Sequence, residues 1–169
     1  MKESLITTLA ILISTIYSFS VTGIDGTAIN FSDFQGKKVL IVNTASNSSQ
    51  VDQYGQLEKL YQLYKDSLVI VAIPSNSFGN EPGNNEDIQS FVKKNYNIHY
   101  VLAAKTDVTD STQSPLYSWL KDKTQNEMMN NRVKNDFTKF LIDSSGRLIG
   151  FFDGSVDPMT DEMTSAISR

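Results

Sequence analysis

Ser48 and Ser49 stand between a short apolar run, Val39 to Val42, and a helical pattern that begins at about Val51. A buried strand, a tight loop and a helix N-terminus in that order aim the first helical N–H groups, and the positive end of the helix dipole, at the loop side chain. A thiol placed there would ionise to a reactive thiolate. The residue at that place is Ser48, and the chain contains no cysteine. A serine hydroxyl keeps its proton at neutral pH and needs an adjacent base before it can act as a nucleophile. The one histidine, His99, lies far along the chain, so that base would have to be Asp136 or a lysine. The ordinary alternative is that Ser48 and Ser49 are the N-cap pair of the helix that follows.

The absence of cysteine excludes disulfides, thiolate metal sites and thiol chemistry. A single histidine argues against a His-based triad or metal cluster, so neither a metal nor another cofactor is expected. The formal net charge of -4 and the scattered lysines and arginines offer no basic surface for nucleic acid. With 169 residues, 40% of them hydrophobic, the chain suits one well-packed domain.

The elements that must position Ser48 follow from periodicity. Leu5 to Ile13 is apolar and too short to span a bilayer. It reads either as a secretory signal, making residues 1–15 a leader and 16–169 the domain, or as an amphipathic or β-prone segment packed on the fold. Export to the periplasm or outside the cell follows from the first reading, a cytoplasmic location from the second. Tyr17 to Val21 and Ala28 to Phe31 flank the turn Ile24-Asp-Gly-Thr27 as a β-hairpin, and Ser32 to Gly36 reads as a short helical turn.

Val51, Tyr54, Leu57, Leu60, Tyr61 and Tyr64 recur at helical spacing, and Leu68 to Ile73 is a second buried strand joined to the first by a right-handed crossover. Asn85 opens a helix with Ile88, Phe91, Val92 and Tyr96 on its apolar face. Tyr100 to Ala103 reads as a short strand carrying His99 at its start, Pro115 to Lys121 as a helix, and Asp122 to Lys134 as a loop. Thr138 to Ile142 and Leu148 to Phe152 form a hairpin around Asp143-Ser-Ser-Gly146, and Asp157-Pro158 is an N-cap with proline at the first helical position. This order predicts an α/β, thioredoxin-like fold, a central mixed sheet flanked by helices behind an N-terminal hairpin.

Several motifs in that order resemble the glutathione peroxidases. They are Gly36-Lys-x-Val-Leu-Ile-Val-Asn-x-Ala-Ser46, Gln53-Tyr54, Pro74-x-Asn-x-Phe-Gly79, Glu81-Pro-Gly83, Pro115-Leu-Tyr117 and Asn135-Asp-Phe-Thr-Lys-Phe-Leu141. The resemblance implies reduction of hydroperoxides by a cysteine or selenocysteine, with glutathione or a thioredoxin-like protein as reductant. It places the family's catalytic set at Ser48, Ser77, Asn135 and Asp136, where the family has its nucleophile, a glutamine, a tryptophan and an asparagine. All four are substituted, and Ser75 also replaces a cysteine common in the family. A near-isosteric cysteine-to-serine exchange would account for Ser48 and Ser75, but not for the other three.

The expected function is therefore a peroxidase-family protein whose activity is lost, serving as a binding or structural module. Residual peroxidase activity, or Ser48 as a hydroxyl nucleophile, is the alternative. Lys105 and Lys139 read as solvated lysines, although they would also suit an anionic thiol such as glutathione. His99 reads as a surface or hydrogen-bonded residue, and Tyr54, Tyr61 and Tyr64 as core packing. The length between Lys121 and Asn135 resembles that of members without an oligomerisation insert, so a monomer is expected.

If Leu5 to Ile13 directs export, intact-mass measurement on protein from its native cell should show a mature chain starting near Ile16. Recovery of Lys2 to Ser14 on a soluble cytoplasmic form would reject that reading.

Overall fold

The computed structural model describes residues 14–109 and 113–169; the apolar run of the proposed leader lies outside them. A 3-10 turn, Ile16–Ser18, leads into a hairpin of β1 (Ser20–Thr22) and β2 (Ala28–Asn30), and a second 3-10 turn, Phe31–Phe34, precedes the main sheet. There β3 (Lys38–Thr44) is joined through α1 (Gln53–Tyr64) to β4 (Leu68–Pro74), which runs parallel to it from Lys38↔Leu68 to Thr44↔Pro74. Then come α2 (Asn85–Tyr96), β5 (Val101–Leu102), α3 (Pro115–Lys121) and α4 (Lys123–Asn126). The chain closes with the antiparallel pair β6 (Lys139–Ile142) and β7 (Leu148–Phe152), then α5 (Asp161–Ser168). The five-stranded sheet has the order β5-β4-β3-β6-β7.

The apolar runs are unbroken because the sheet is covered on both faces. Val39, Ile41, Val71, Phe140 and Ile142 pack with Ile16, Phe31 and the α3 residues Leu116, Trp119 and Leu120. On the other face Leu40, Val42, Ile70 and Leu141 meet Leu57 and Leu60 of α1, Ile88 and Val92 of α2, and Met163 and Ile167 of α5. Tyr54 belongs to this second core, fully buried, with Tyr61 and Tyr64 packed at its margin.

The start of the described chain is fastened to the β6–β7 turn. Ile16 N donates to Gly146 O at 2.9 Å, and Tyr17 Oη donates to Ser144 O at 2.8 Å. Gly146 has φ +86, and a Cβ there would meet the Tyr17 ring at 2.6 Å, so glycine serves both the turn and the close approach.

Three local expectations change. The segment predicted as a loop after Asp122 contains α4, a single helical turn that periodicity over four residues cannot reveal. The buried Asn126 side chain organises it, donating from Nδ2 to Trp119 O (2.9 Å) and Met129 O (3.0 Å) and accepting at Oδ1 from Met128 N and Met129 N. Asp157-Pro158 builds a turn rather than the helix cap, because Asp157 Oδ1 accepts from Met159 N at 2.8 Å. The cap of α5 is Thr160, whose side chain accepts from Met163 N. His99 precedes β5 rather than lying on it, held by Glu58 of α1, whose Oε1 is 2.8 Å from His99 Nδ1. No helix among the described residues is long and apolar enough to cross a membrane.

Replacing Asn126 with alanine leaves several buried carbonyl and N–H groups without partners. Asn126→Ala should cost about 2–3 kcal/mol, read from the urea midpoint at unchanged slope. A change of under about 0.5 kcal/mol, the usual size for a featureless surface site, would show that solvent replaces the network.

Candidate functional site

The loop after β3 is clamped to the loop after β4 by a buried carboxylate. Glu81 accepts from Ser46 N (2.7 Å) and Ser46 Oγ (2.7 Å), while its own N–H donates to Asn76 Oδ1 at 2.9 Å. Asn47 N adds a bond to Asn80 O at 3.0 Å. This clamp sets Ser48, which is 7% exposed. Ser48 Oγ accepts from Gln50 N at 3.2 Å, and Ser48 O accepts from Val51 N at 3.1 Å.

Ser48 thus caps a tight turn, and Asp52 is the N-cap residue of α1. Between them run three-residue bonds, Gln53 N to Gln50 O and Tyr54 N to Val51 O. The helix begins at Gln53 rather than at Val51 because this tighter spiral intervenes.

Ser48, Ser49, Gln50, Phe78, Asn80, Lys134, Asn135 and Asp136 line a cavity of about 380 Å³. Asp136 is 3% exposed. Its Oδ2 accepts from Asn80 Nδ2 at 2.7 Å, and its Oδ1 has no partner among the described residues. Asn135 is turned into the wall, where its Oδ1 accepts from Thr138 Oγ1 (2.9 Å) and Gly154 N (3.1 Å) and its Nδ2 donates to Asp153 Oδ1 (3.2 Å). The N–H and hydroxyl of Ser155, with the Asn135 amide, hold the Asp153 carboxyl below the ordinary carboxylate range.

Gly154 is the meeting point of this wall. Gln53 Nε2 donates to Gly154 O at 2.7 Å. With its amide oriented to pair every atom, Gln50 Nε2 donates to Asp136 O (2.9 Å) and Gly154 O (3.1 Å). A Cβ on Gly154 would overlap the Asp136 carbonyl oxygen, so only glycine permits this approach.

The structure therefore brings together Ser48, Asn135 and Asp136 of the expected set, and does not bring Ser77. Ser77 Oγ accepts from Ser75 Oγ (3.0 Å) and Val108 N (3.1 Å), tying down the chain after β5. The amide that pairs with Asp136 in the cavity, Asn80, was missed because Gly79-Asn-Glu81 reads only as turn residues. Its one signal is its place directly before Glu81-Pro-Gly83.

The expectation of two solvated lysines fails for Lys139. Its side chain is completely buried, and Nζ donates to Phe137 O (2.7 Å) and Val156 O (2.7 Å). Phe137 sits at φ 60, a left-handed conformation that a bulky residue adopts only under constraint. The Lys139 amine, a 2.6 Å bond from Phe137 N to Asn43 O, and the edge-on packing of the Phe137 ring on Tyr54 supply that constraint. Lys105 Nζ donates to Gly83 O at 2.6 Å. The lysine that lines the cavity is instead Lys134, exposed to solvent.

Burial lowers the Lys139 pKa to about 7, with Asp157 and Asp153 opposing the shift. A lysine unfolds to an ordinary value near ~10.4, so between these limits the unfolded chain binds more protons and stability rises with pH. The urea midpoint should climb from pH 7 to pH 9, by at most roughly 1.4 kcal/mol per pH unit. Above about pH 10, the ordinary tyrosine value, the trend should reverse, because burial raises the pKa of Tyr54, Tyr100 and Tyr117. In Lys139→Met the climb should be absent; if it persists, another group is its source.

The glutathione peroxidase family profile matches residues 16–121. A glutathione peroxidase-like peroxiredoxin of Chlamydomonas reinhardtii is 39% identical over 144 residues, which cover 84% of this chain and 88% of that protein. A glutathione peroxidase of Lactococcus lactis is 37% identical over 155 residues, covering 90% and 97%. Among solved structures, the crystal structure of Trgpx in apo form superposes with a TM-score of 0.70 at 30% identity, over 92% of this chain and 97% of that one. A thioredoxin-family thiol:disulfide interchange protein of Chlorobium tepidum, at 17% identity and TM-score 0.60 over 88% and 92% of the two chains, shares the fold alone. The fold is thioredoxin-like, as the element order predicted, and the chain belongs to the glutathione peroxidase family.

Proposed function

We propose that this chain is a catalytically silent member of its family, a binding or structural module that keeps the fold without reducing peroxides. The observation that carries the reading is Ser48 in the strand-to-helix loop of a chain that has no cysteine. An alkoxide is not available at neutral pH, and hydroxyl oxygen lacks the soft polarisable character with which a thiolate attacks an O–O bond. Asp136 supports the reading, because an ionised carboxylate can only accept hydrogen bonds and would repel a thiolate.

The hydroxyl-nucleophile alternative has less support. Ser48 Oγ accepts from Gln50 N, Asp136 Oδ2 accepts from Asn80, and His99 is held by Glu58. Among the described residues no hydrogen bond joins the Ser48 hydroxyl to Asp136 or Lys134, the bases such chemistry would use. Glutathione or a thioredoxin-like protein, the reductants associated with the family, would on this reading be ligands rather than substrates. The domain acts as a monomer and is exported through its N-terminal segment.

Peroxide turnover by the pure protein, with glutathione or thioredoxin as reductant, should not exceed that of a Ser48→Ala control; a clear excess would overturn the reading. Ser48→Cys alone should give a thiol titrating above the usual ~8.5 and reacting slowly with hydrogen peroxide. Adding Asp136→Asn should lower that value by about one unit or more and speed the reaction, as followed by thiolate absorbance. If the single variant already reacts as fast as the double, Asp136 does not act on position 48.

A further inference from the structure

We propose that the cavity beside Ser48 binds a small cation bearing N–H donors, of the primary-ammonium or guanidinium class. This rests on reading the chain as a non-catalytic binding module and names the ligand such a module would take.

The inference comes from a census of hydrogen-bonding atoms around the cavity. Three side-chain amides line it, Gln50, Asn80 and Asn135, and the nitrogen of each is already bound within the protein. Asn80 Nδ2 donates to Asp136 Oδ2 and Asn135 Nδ2 to Asp153 Oδ1, while two amides outside the lining, Asn43 and Gln53, donate to Asn135 O and Gly154 O. Gln50 Nε2, in its paired orientation, donates to the carbonyls of Asp136 and Gly154.

Among the lining side chains, the buried polar atom without a partner among the described residues is Asp136 Oδ1. A carboxylate oxygen can only accept, and Asp136 is 3% exposed. Such a group is costly to leave unsatisfied, so this oxygen favours a donor.

Charge points the same way. Asp136 and Glu81 are both buried, and neither has a cation within ion-pair distance among the described residues. The ion pairs found, His99–Glu58 and Arg147–Asp143, lie away from the cavity. Binding Asn80 Nδ2 to Asp136 leaves Asn80 Oδ1 as an acceptor beside the Ser48 and Ser49 hydroxyls. Lys134 is the one cation in the lining, and its exposed, flexible stem can swing its charge into water.

The test is a nitrogen–proton correlation NMR titration of the full chain with methylammonium and, separately, methylguanidinium. Ionic strength is held constant with tetramethylammonium chloride, a cation without N–H donors. Saturable shifts are expected at the Asn80 side-chain amide and at the backbone amides of Ser48 to Gln50, with none from tetramethylammonium itself. Asp136→Asn should weaken binding at least ten-fold and Lys134→Gln should tighten it about three-fold; an anion site would reverse the second effect. Asn80→Leu, with its dispersed spectrum checked first, serves if Asp136→Asn does not fold, and should also weaken binding ten-fold.

No saturable shift, an equal response to tetramethylammonium, saturation by sodium alone, or unchanged affinity in the Asp136 and Asn80 variants would overturn the proposal. Peroxide turnover measured on the same sample separates the two readings. Turnover with cation binding removes only the silent-enzyme reading, and silence without binding removes only this one.

Discussion

Phe137 at φ 60 is the constraint on which the site depends. A side chain with a Cβ enters the left-handed region at a cost of roughly 1–2 kcal/mol, so the surroundings must hold it there. They do so from three sides. The strand end supplies the Asn43 carbonyl, the Lys139 amine reaches back to the Phe137 carbonyl, and the second core grips the ring against Tyr54. This left-handed step turns the chain into β6 just after Asn135 has entered the wall and Asp136 the cavity. Gly154 completes the arrangement from the far side, where the absence of a Cβ allows its backbone to touch Asn135, Gln50 and Gln53.

The same logic explains why a completely buried lysine is tolerated. An ammonium in an apolar interior is expensive, and the protein answers by favouring the neutral amine and by giving its N–H groups two carbonyl acceptors. Lys139 is thus a structural hydrogen-bond donor whose charge is incidental. Its two acceptors, Phe137 and Val156, lie on either side of the β6–β7 pair.

Most of the fold was legible in the sequence because burial on both faces of the sheet writes itself as unbroken β-branched runs. Val39 to Val42 and Leu68 to Ile73 are such runs, and the helix Pro115–Lys121 carries both its signals, proline at the start and inward Leu116, Trp119 and Leu120. What escaped is what a single side chain decides. The turn Lys123–Asn126 is organised by Asn126, and the start of the last helix was displaced because Asp157 uses its carboxylate on a turn. Of the site, Ser48 and Asp136 could be read from motif order. Lys139 was misjudged because lysine is almost never buried, and Asn80 was passed over because its type says turn while its partner lies 56 residues away.

The fastening of Ile16 and Tyr17 to the β6–β7 turn fixes where the chain enters the fold. Because Ile142 pairs with Val39, that turn lies at the end of the sheet where β3 begins, whereas Ser48 lies beyond the end where β3 finishes. Seven residues of strand separate the two, a span of roughly 20 Å or more at ~3.3 Å per residue. Ile16 and Tyr17 therefore sit at the pole opposite the cavity. A label or solid support coupled at that end would leave the cavity facing outward.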